Sequence, residues 1–318
     1  MSSETSGIRD LLFKSYIVLS MTFVWAAYAI TTRYTRSTKP ELYSSTTVVL
    51  LSECVKITIT LICLFYNSRY DCSNFRKVII PIDLLKMSVP SITYVLQNNL
   101  DIVALSNLDA ATYQVTTQLK VITTALFMMA FLGKKFSLHR WIAILLLFMG
   151  VAAVQLNAVS YKTGGKATGD NYILGLAAVL LICIMAGFAG VYFEMMLKDG
   201  TSTPLWIRNL QMYSCGVVAA GIGCYINDYD SIKRRGFFYG YDFRVFGIVC
   251  FLSVGGIYIS LIMKYLDNLY KSFASSVSII LVVVFSVFLF DDVYIGMYFI
   301  TGTVMVISAI VLYNRVSE

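Results

Sequence analysis

Apolar residues run through this chain in blocks of about 20, with polar residues gathered in the short stretches between them. A helix of about 20 residues crosses the hydrocarbon core of a bilayer, so each block is predicted as a membrane helix. Ten blocks are read this way, near 14–32, 43–66, 84–107, 110–132, 138–157, 171–197, 205–227, 243–265, 270–290 and 294–313. The first is followed by further spans and reads as a retained helix, not a cleaved signal. An even number of spans puts both termini on one side. Lys and Arg are more numerous in the loops on that side, Arg69, Arg76, Lys77, Lys134 and Lys135 among them, which places the termini in the cytosol. The segment 67–83 reads as a loop with a short interfacial piece, and "GGKATGD" at 164–170 as a flexible connector.

The blocks repeat. "LSNLDAATYQVTTQLK" is similar to "KYLDNLYKSFASSVS" when Leu108 is laid on Leu266, and "FLGKKFSLHRWIAI" then falls on "FLFDDVYIGMYFIT" with nearly the same offset, about half the chain length. That agreement predicts an internal duplication: a first five-helix repeat over 1–157, a connector over 158–170 and a second repeat over 171–318. Five is odd, so the second copy enters the membrane from the other face, giving two inverted repeats, an architecture used by alternating-access carriers.

Composition fixes the class as all-α and polytopic. Hydrophobic residues make up 58% of the 318 positions and charged residues 14%, with a mean hydropathy of +0.73, against about 25% charged in a soluble domain. The net charge of +7 is scattered through membrane-flanking loops and not gathered on one face, which argues against a nucleic-acid polymer as partner. Seven cysteines, an odd number without a CxxC pair, read as small packing residues. The single histidine, His139, lies among Lys134, Lys135 and Arg140 and reads as an interfacial residue, so neither metal nor cofactor is expected.

Polar residues inside the blocks carry the chemistry, because a lysine at mid-membrane costs roughly 2.5–3.5 kcal/mol on insertion scales. Glu53 and Lys56 are three apart and share a helix face, where they can neutralise each other, either as a packing device or as support for a site. The third block carries "YVLQNN", with Gln97, Asn98 and Asn99 in mid-segment. Adjacent carboxamides match the donor and acceptor edge of a nucleobase, and they also clamp helices together. Tyr113, Thr117 and Lys120 follow at spacings of four and three and are predicted to form one stripe able to stack a ring and hold an anion.

The seventh block opens "WIRNLQMY", with Arg208 at the interface and Asn209 and Tyr213 one turn apart. Lys271 lies one turn into the ninth, where the duplication sets it opposite Tyr113. Two membrane lysines among amides and tyrosines, without a run of carboxylates, point to an anionic ligand with a planar part. No Walker loop, HExxH or Ser-His-Asp set occurs, so catalysis has no visible machinery. A polytopic glycosyltransferase would need an acidic pair at a membrane edge, and its one candidate, Asp291 with Asp292, reads as a solvated turn.

"QNN", "ALSNLDAATYQVTTQLK", "GFAGVYFE", "WIRNLQMY", "GFFYGY" and "KYLDNLYKSFA" resemble, in order and spacing, the nucleotide-sugar transporters of the Golgi and endoplasmic reticulum, within the drug/metabolite transporter superfamily. The likeness runs from about residue 33 to 313 and is strongest to the branch with the UDP-N-acetylglucosamine, UDP-galactose and CMP-sialic acid carriers. It implies a ten-helix inverted repeat, not an enzyme, that exchanges cytosolic nucleotide sugar for lumenal nucleoside monophosphate. It also implies a base pocket from Asn98, Asn99, Tyr113, Thr117 and Lys120, and a phosphate and sugar side from Asn209, Tyr213, Gly256, Ser260 and Lys271.

The expectation is a multi-pass Golgi antiporter, with the endoplasmic reticulum as the other compartment, bringing UDP-GlcNAc or UDP-galactose inward against UMP. A CMP-sialic acid or multi-substrate carrier is the alternative, and a homodimer stays open. The chain departs from the family pattern at Thr117, where relatives carry a second tyrosine, and at Ser272, where they carry glycine. The first departure leaves the nucleobase open.

Overall fold

The structure, a computed structural model, describes residues 2–38, 43–68, 81–108, 110–160, 171–199, 203–289 and 295–315. The connector at 164–170, the pair Asp291 and Asp292, Cys72 and most of the 67–83 segment lie outside the described residues. No strand occurs among the described residues, and nearly all of them are helical. In chain order the helices are α1 (Ser2–Thr38), α2 (Ser45–Ser68), α3 (Pro81–Asn107), α4 (Ala110–Thr116), α5 (Lys120–Leu132), α6 (Leu138–Ser160), α7 (Tyr172–Leu197), α8 (Leu205–Arg235), α9 (Phe243–Tyr265), α10 (Asn268–Leu289) and α11 (Met297–Arg315).

A helix lies at every predicted block. Among the described residues, eight segments are long and apolar enough to cross a membrane, in α1, α2, α4 with α5, α6, α7, α9, α10 and α11. Helices α3 and α8 are not among them, because Gln97, Asn98, Asn99 and Asp101 interrupt the first and Arg208, Asn209 and Gln211 the second. The chain is an all-helical, multi-pass membrane protein. Leu126, Ile142, Leu180, Ile184 and Phe285 all stay exposed on these helices. Such a surface would associate in water, whereas lipid solvates it.

Local chemistry accounts for several helix details. Several hydroxyls in the spans are satisfied within their own helix: Thr22 donates to the Val18 carbonyl at 2.8 Å, Thr124 to Lys120 at 2.7 Å and Ser253 to Val249 at 2.7 Å. Asp242 caps α9, its Oδ1 accepting from the backbone N–H groups of Arg244 and Val245, each at 3.0 Å. Helix α5 ends at Gly133, whose φ of 62° suits a residue without a Cβ. The block at 110–132 is not one continuous α-helix: a 3₁₀ turn at Thr117–Leu119 separates α4 from α5.

The helices gather into two compact units, 1–95 with 196–267, and 96–195 with 268–318. Each draws on both halves of the chain, and the boundaries cut α3 after Val95 and α7 after Met195. In the first unit α2 packs on α8 and α1 on α9, around Val48, Val245, Ile248 and Val249 and a smaller cluster of Leu64, Ile207 and Leu210. In the second, α6 packs along α11 and against α4, α5 and α10, around Met128, Ile144, Leu147, Phe273 and Val306. The remainder of α3 meets α7 through Ala104, Leu108, Val179 and Cys183.

Helices α6 and α11 touch backbone to backbone. A Cβ on Gly150 would stand 2.9 Å from the Gly302 carbonyl oxygen, and one on Gly302 would stand 2.6 Å from that of Gly150. Only paired glycines permit this crossing.

Candidate functional site

Every candidate residue that falls in the first unit lies in one cluster. On α2, Lys56 Nζ is 2.5 Å from Glu53 Oε1, the pair that a spacing of three allows. Both side chains are largely withdrawn, at 11% and 16% exposure, and so strengthen one another in a poorly screened setting. Two glycines make room for them: a Cβ on Gly216 of α8 would come within 2.6 Å of Glu53 Oε2, and one on Gly256 of α9 within 2.8 Å of Lys56 Cδ.

The Lys56 ammonium stands over the Tyr213 ring, 4.7 Å from its centroid. The Tyr213 hydroxyl donates to the Gly256 carbonyl at 3.3 Å. One turn earlier on α8, Asn209 Nδ2 donates to Ser260 Oγ at 2.8 Å. Asn209 Oδ1 is buried with no hydrogen-bond donor among the described residues, so it can accept from a ligand hydroxyl or N–H.

Arg208, expected at the membrane interface, is also held by ion pairs at this end of the unit. It is only 3% exposed. Its Nη2 is 2.8 Å from Asp199 Oδ2 and its Nη1 3.6 Å from Asp83 Oδ1, which ties the start of α8 to the start of α3 and the residues just past α7. Nearby, Lys264 Nζ donates to the Leu197 carbonyl at 2.5 Å and Lys198 Nζ to the Leu266 carbonyl, so each cation meets the negative end of a neighbouring helix.

The second unit holds the other candidates. Asn98 and Asn99 lie on α3, and their side chains are outside the described residues. Tyr113 is half-buried against the cluster of Ala104, Leu108 and Val179. Thr117 is buried, its hydroxyl donating to the Gln114 carbonyl at 2.9 Å while its own carbonyl accepts from Cys183 Sγ at 3.6 Å.

Lys120, by contrast, is exposed. A 3₁₀ turn keeps residues three apart in line, so Thr117 and Lys120 still share a direction, but their surroundings differ: Thr117 is packed against Cys183 of α7 and Lys120 is exposed. Lys271 is half-buried in the first turn of α10, a helix that packs against α5 and so against the helix headed by Lys120.

Glu194 escapes the sequence reading. It is fully buried near the end of α7, Oε2 accepting from the Asn268 backbone N–H at 2.8 Å and Oε1 lying 3.4 Å from Lys134 Nζ. The stretch "GFAGVYFE" draws notice for its glycines, yet a lone carboxylate in an otherwise apolar helix of 26 residues was the stronger signal.

The nucleotide-sugar transporter family model matches residues 9–314. The UDP-galactose translocator 1 of Caenorhabditis elegans is 56% identical over 99% of this chain and 92% of its own length. The UDP-N-acetylglucosamine transporter of Rattus norvegicus is 40% identical over 92% of this chain and 93% of its own. A solved crystal structure, 12% identical, shares the fold with a TM-score of 0.70 over 96% of this chain and 99% of that one.

Proposed function

The chain belongs to the nucleotide-sugar transporter family and is a transporter, not an enzyme; from that premise we propose that it exchanges a UDP-sugar for UMP by alternating access. UDP-galactose and UDP-GlcNAc are the sugars named for its relatives. Transport runs from cytosol to Golgi lumen, with both termini cytosolic, in keeping with the excess of Lys and Arg on the terminal side.

The architecture we propose has ten spans, α3 and α8 included, in two inverted repeats over 1–157 and 171–318 joined by 158–170. Several packing partners support it, because exchanging the halves maps them onto one another. The α1–α9 contact answers the α3–α7 contact, α5–α6 answers α10–α11, and α2–α8 and α6–α11 each answer themselves. The reciprocal approach of Gly150 and Gly302 sits on the last of these.

One observation carries the ligand class: two lysines, Lys120 at the head of α5 and Lys271 in the first turn of α10, lie on helices that pack against each other in the second unit. Like charges in a membrane repel strongly, and a bound anion relieves that cost. In this reading Asn98, Asn99, Tyr113, Thr117 and Lys120 hold the base. Lys271 with Asn209, Tyr213, Gly256 and Ser260 takes the phosphates and sugar. The Glu53–Lys56 pair supports Tyr213. Exchange is obligatory to the extent that the carrier crosses more readily loaded than empty.

The test is uptake of labelled UDP-galactose and UDP-GlcNAc into proteoliposomes preloaded with UMP, CMP, GMP or AMP. Stimulation by UMP alone is expected. Stimulation by CMP in its place would overturn the base assignment, and none by any nucleotide would overturn exchange.

A further inference from the structure

Glu194 has the geometry of an internal counter-ion. It is an acid with no exposed surface, in a helix otherwise devoid of charge, and its two oxygens are engaged differently. One fixes the first backbone N–H of α10, at Asn268, with the charge placed at the positive end of that helix. The other faces Lys134, the cation that follows α5. The packing around it leaves little freedom: a Cβ on Gly190, one turn earlier on α7, would collide with Asn268 Nδ2, so α7 and the start of α10 are in direct contact. Lys271 follows Asn268 by three residues, on the same first turn that Glu194 holds, and α10 packs against α5, which begins at Lys120.

We propose that Glu194 is a positioning residue for exchange: it anchors the turn that presents Lys271, and its carboxylate stands in for the ligand's phosphate when the site is empty. This rests on the UDP-sugar:UMP reading above. A ligand phosphate and Glu194 then compete for one ammonium. The competition weakens binding, which speeds release, and it lowers the charge that an empty carrier must carry through its transition. Lys134 moderates this by drawing on the same carboxylate.

The experiment compares full-length wild-type protein with E194Q and K134M, by UMP affinity from ligand-induced thermal stabilisation and by the ratio of UDP-galactose uptake into empty and UMP-loaded proteoliposomes. The glutamine retains an oxygen for the Asn268 N–H but loses the charge. E194Q is expected to bind UMP about fivefold tighter, the low end of ordinary coupling between sites, with a lower ratio of empty to loaded uptake. K134M leaves the carboxylate freer for Lys271 and is expected to bind UMP less tightly, with a higher ratio.

Should E194Q not fold, K134M alone carries the test. Affinity and ratio unchanged in the folded variants, or both moved the opposite way, would overturn the role of Glu194 while leaving exchange intact. A folded wild type that shows no response to UMP would instead overturn the transport reading itself.

Discussion

Lys56 and Lys271 answer the same problem, a cation in a membrane helix, in two ways. Lys56 is neutralised locally by Glu53 and rests on the Tyr213 ring, and two glycines on other helices make space for the pair. Removing one member strands the other charge. E53Q or K56M alone should lower stability by about 3–5 kcal/mol, and the double variant should recover most of it. Unfolding of the purified variants in one detergent checks this, and additive losses in the double variant would show that the two do not act as a pair.

Lys120, exposed at the head of α5, has a different expected role. K120A should keep the wild-type unfolding midpoint while exchange of every substrate is lost, and normal uptake by a folded K120A would remove it from the site. The Glu53–Lys56 pair and the Asn209–Tyr213 turn were legible in the sequence, because spacings of three and four report a shared helix face. The bonds from Asn209 to Ser260 and from Arg208 to Asp83 and Asp199 were not, since they join different helices and no periodicity records them.

At the scale of elements, the positions of the helices were the most readable feature, as lipid requires long apolar runs with their backbone groups satisfied internally. Their interiors were less so. The 3₁₀ turn at Thr117–Leu119 lies in a stretch whose residues all accept an α-helix, and it is the packing of Cys183 against the Thr116 and Thr117 carbonyls that accompanies the departure. Gly150 and Gly302 are two of 20 glycines and unremarked in the sequence, and their importance comes from the crossing of α6 and α11. G302V should destabilise the protein by about 1–3 kcal/mol or more through overpacking, whereas valine at Gly221, which has open space around it, should cost mainly its helix propensity. Equal losses at the two positions would contradict the close crossing.

For the molecule as a whole, the predicted duplication and the observed compact units divide the chain differently. The repeats follow sequence order, while each unit takes helices from both halves, so duplicated halves need not be separately packed bodies. A pattern search compares residues along the chain and has no access to which helices become neighbours. The neighbour pairs that map onto one another when the halves are exchanged link the two descriptions. The exchange proposed for this protein couples two fluxes.

The direct measurement is a double-label experiment on purified protein in proteoliposomes, loaded with one isotope of UMP and supplied outside with UDP-galactose or UDP-GlcNAc carrying another. One UMP leaving for each UDP-sugar entering is the expected result. Entry of UDP-sugar without matching loss of UMP would contradict it.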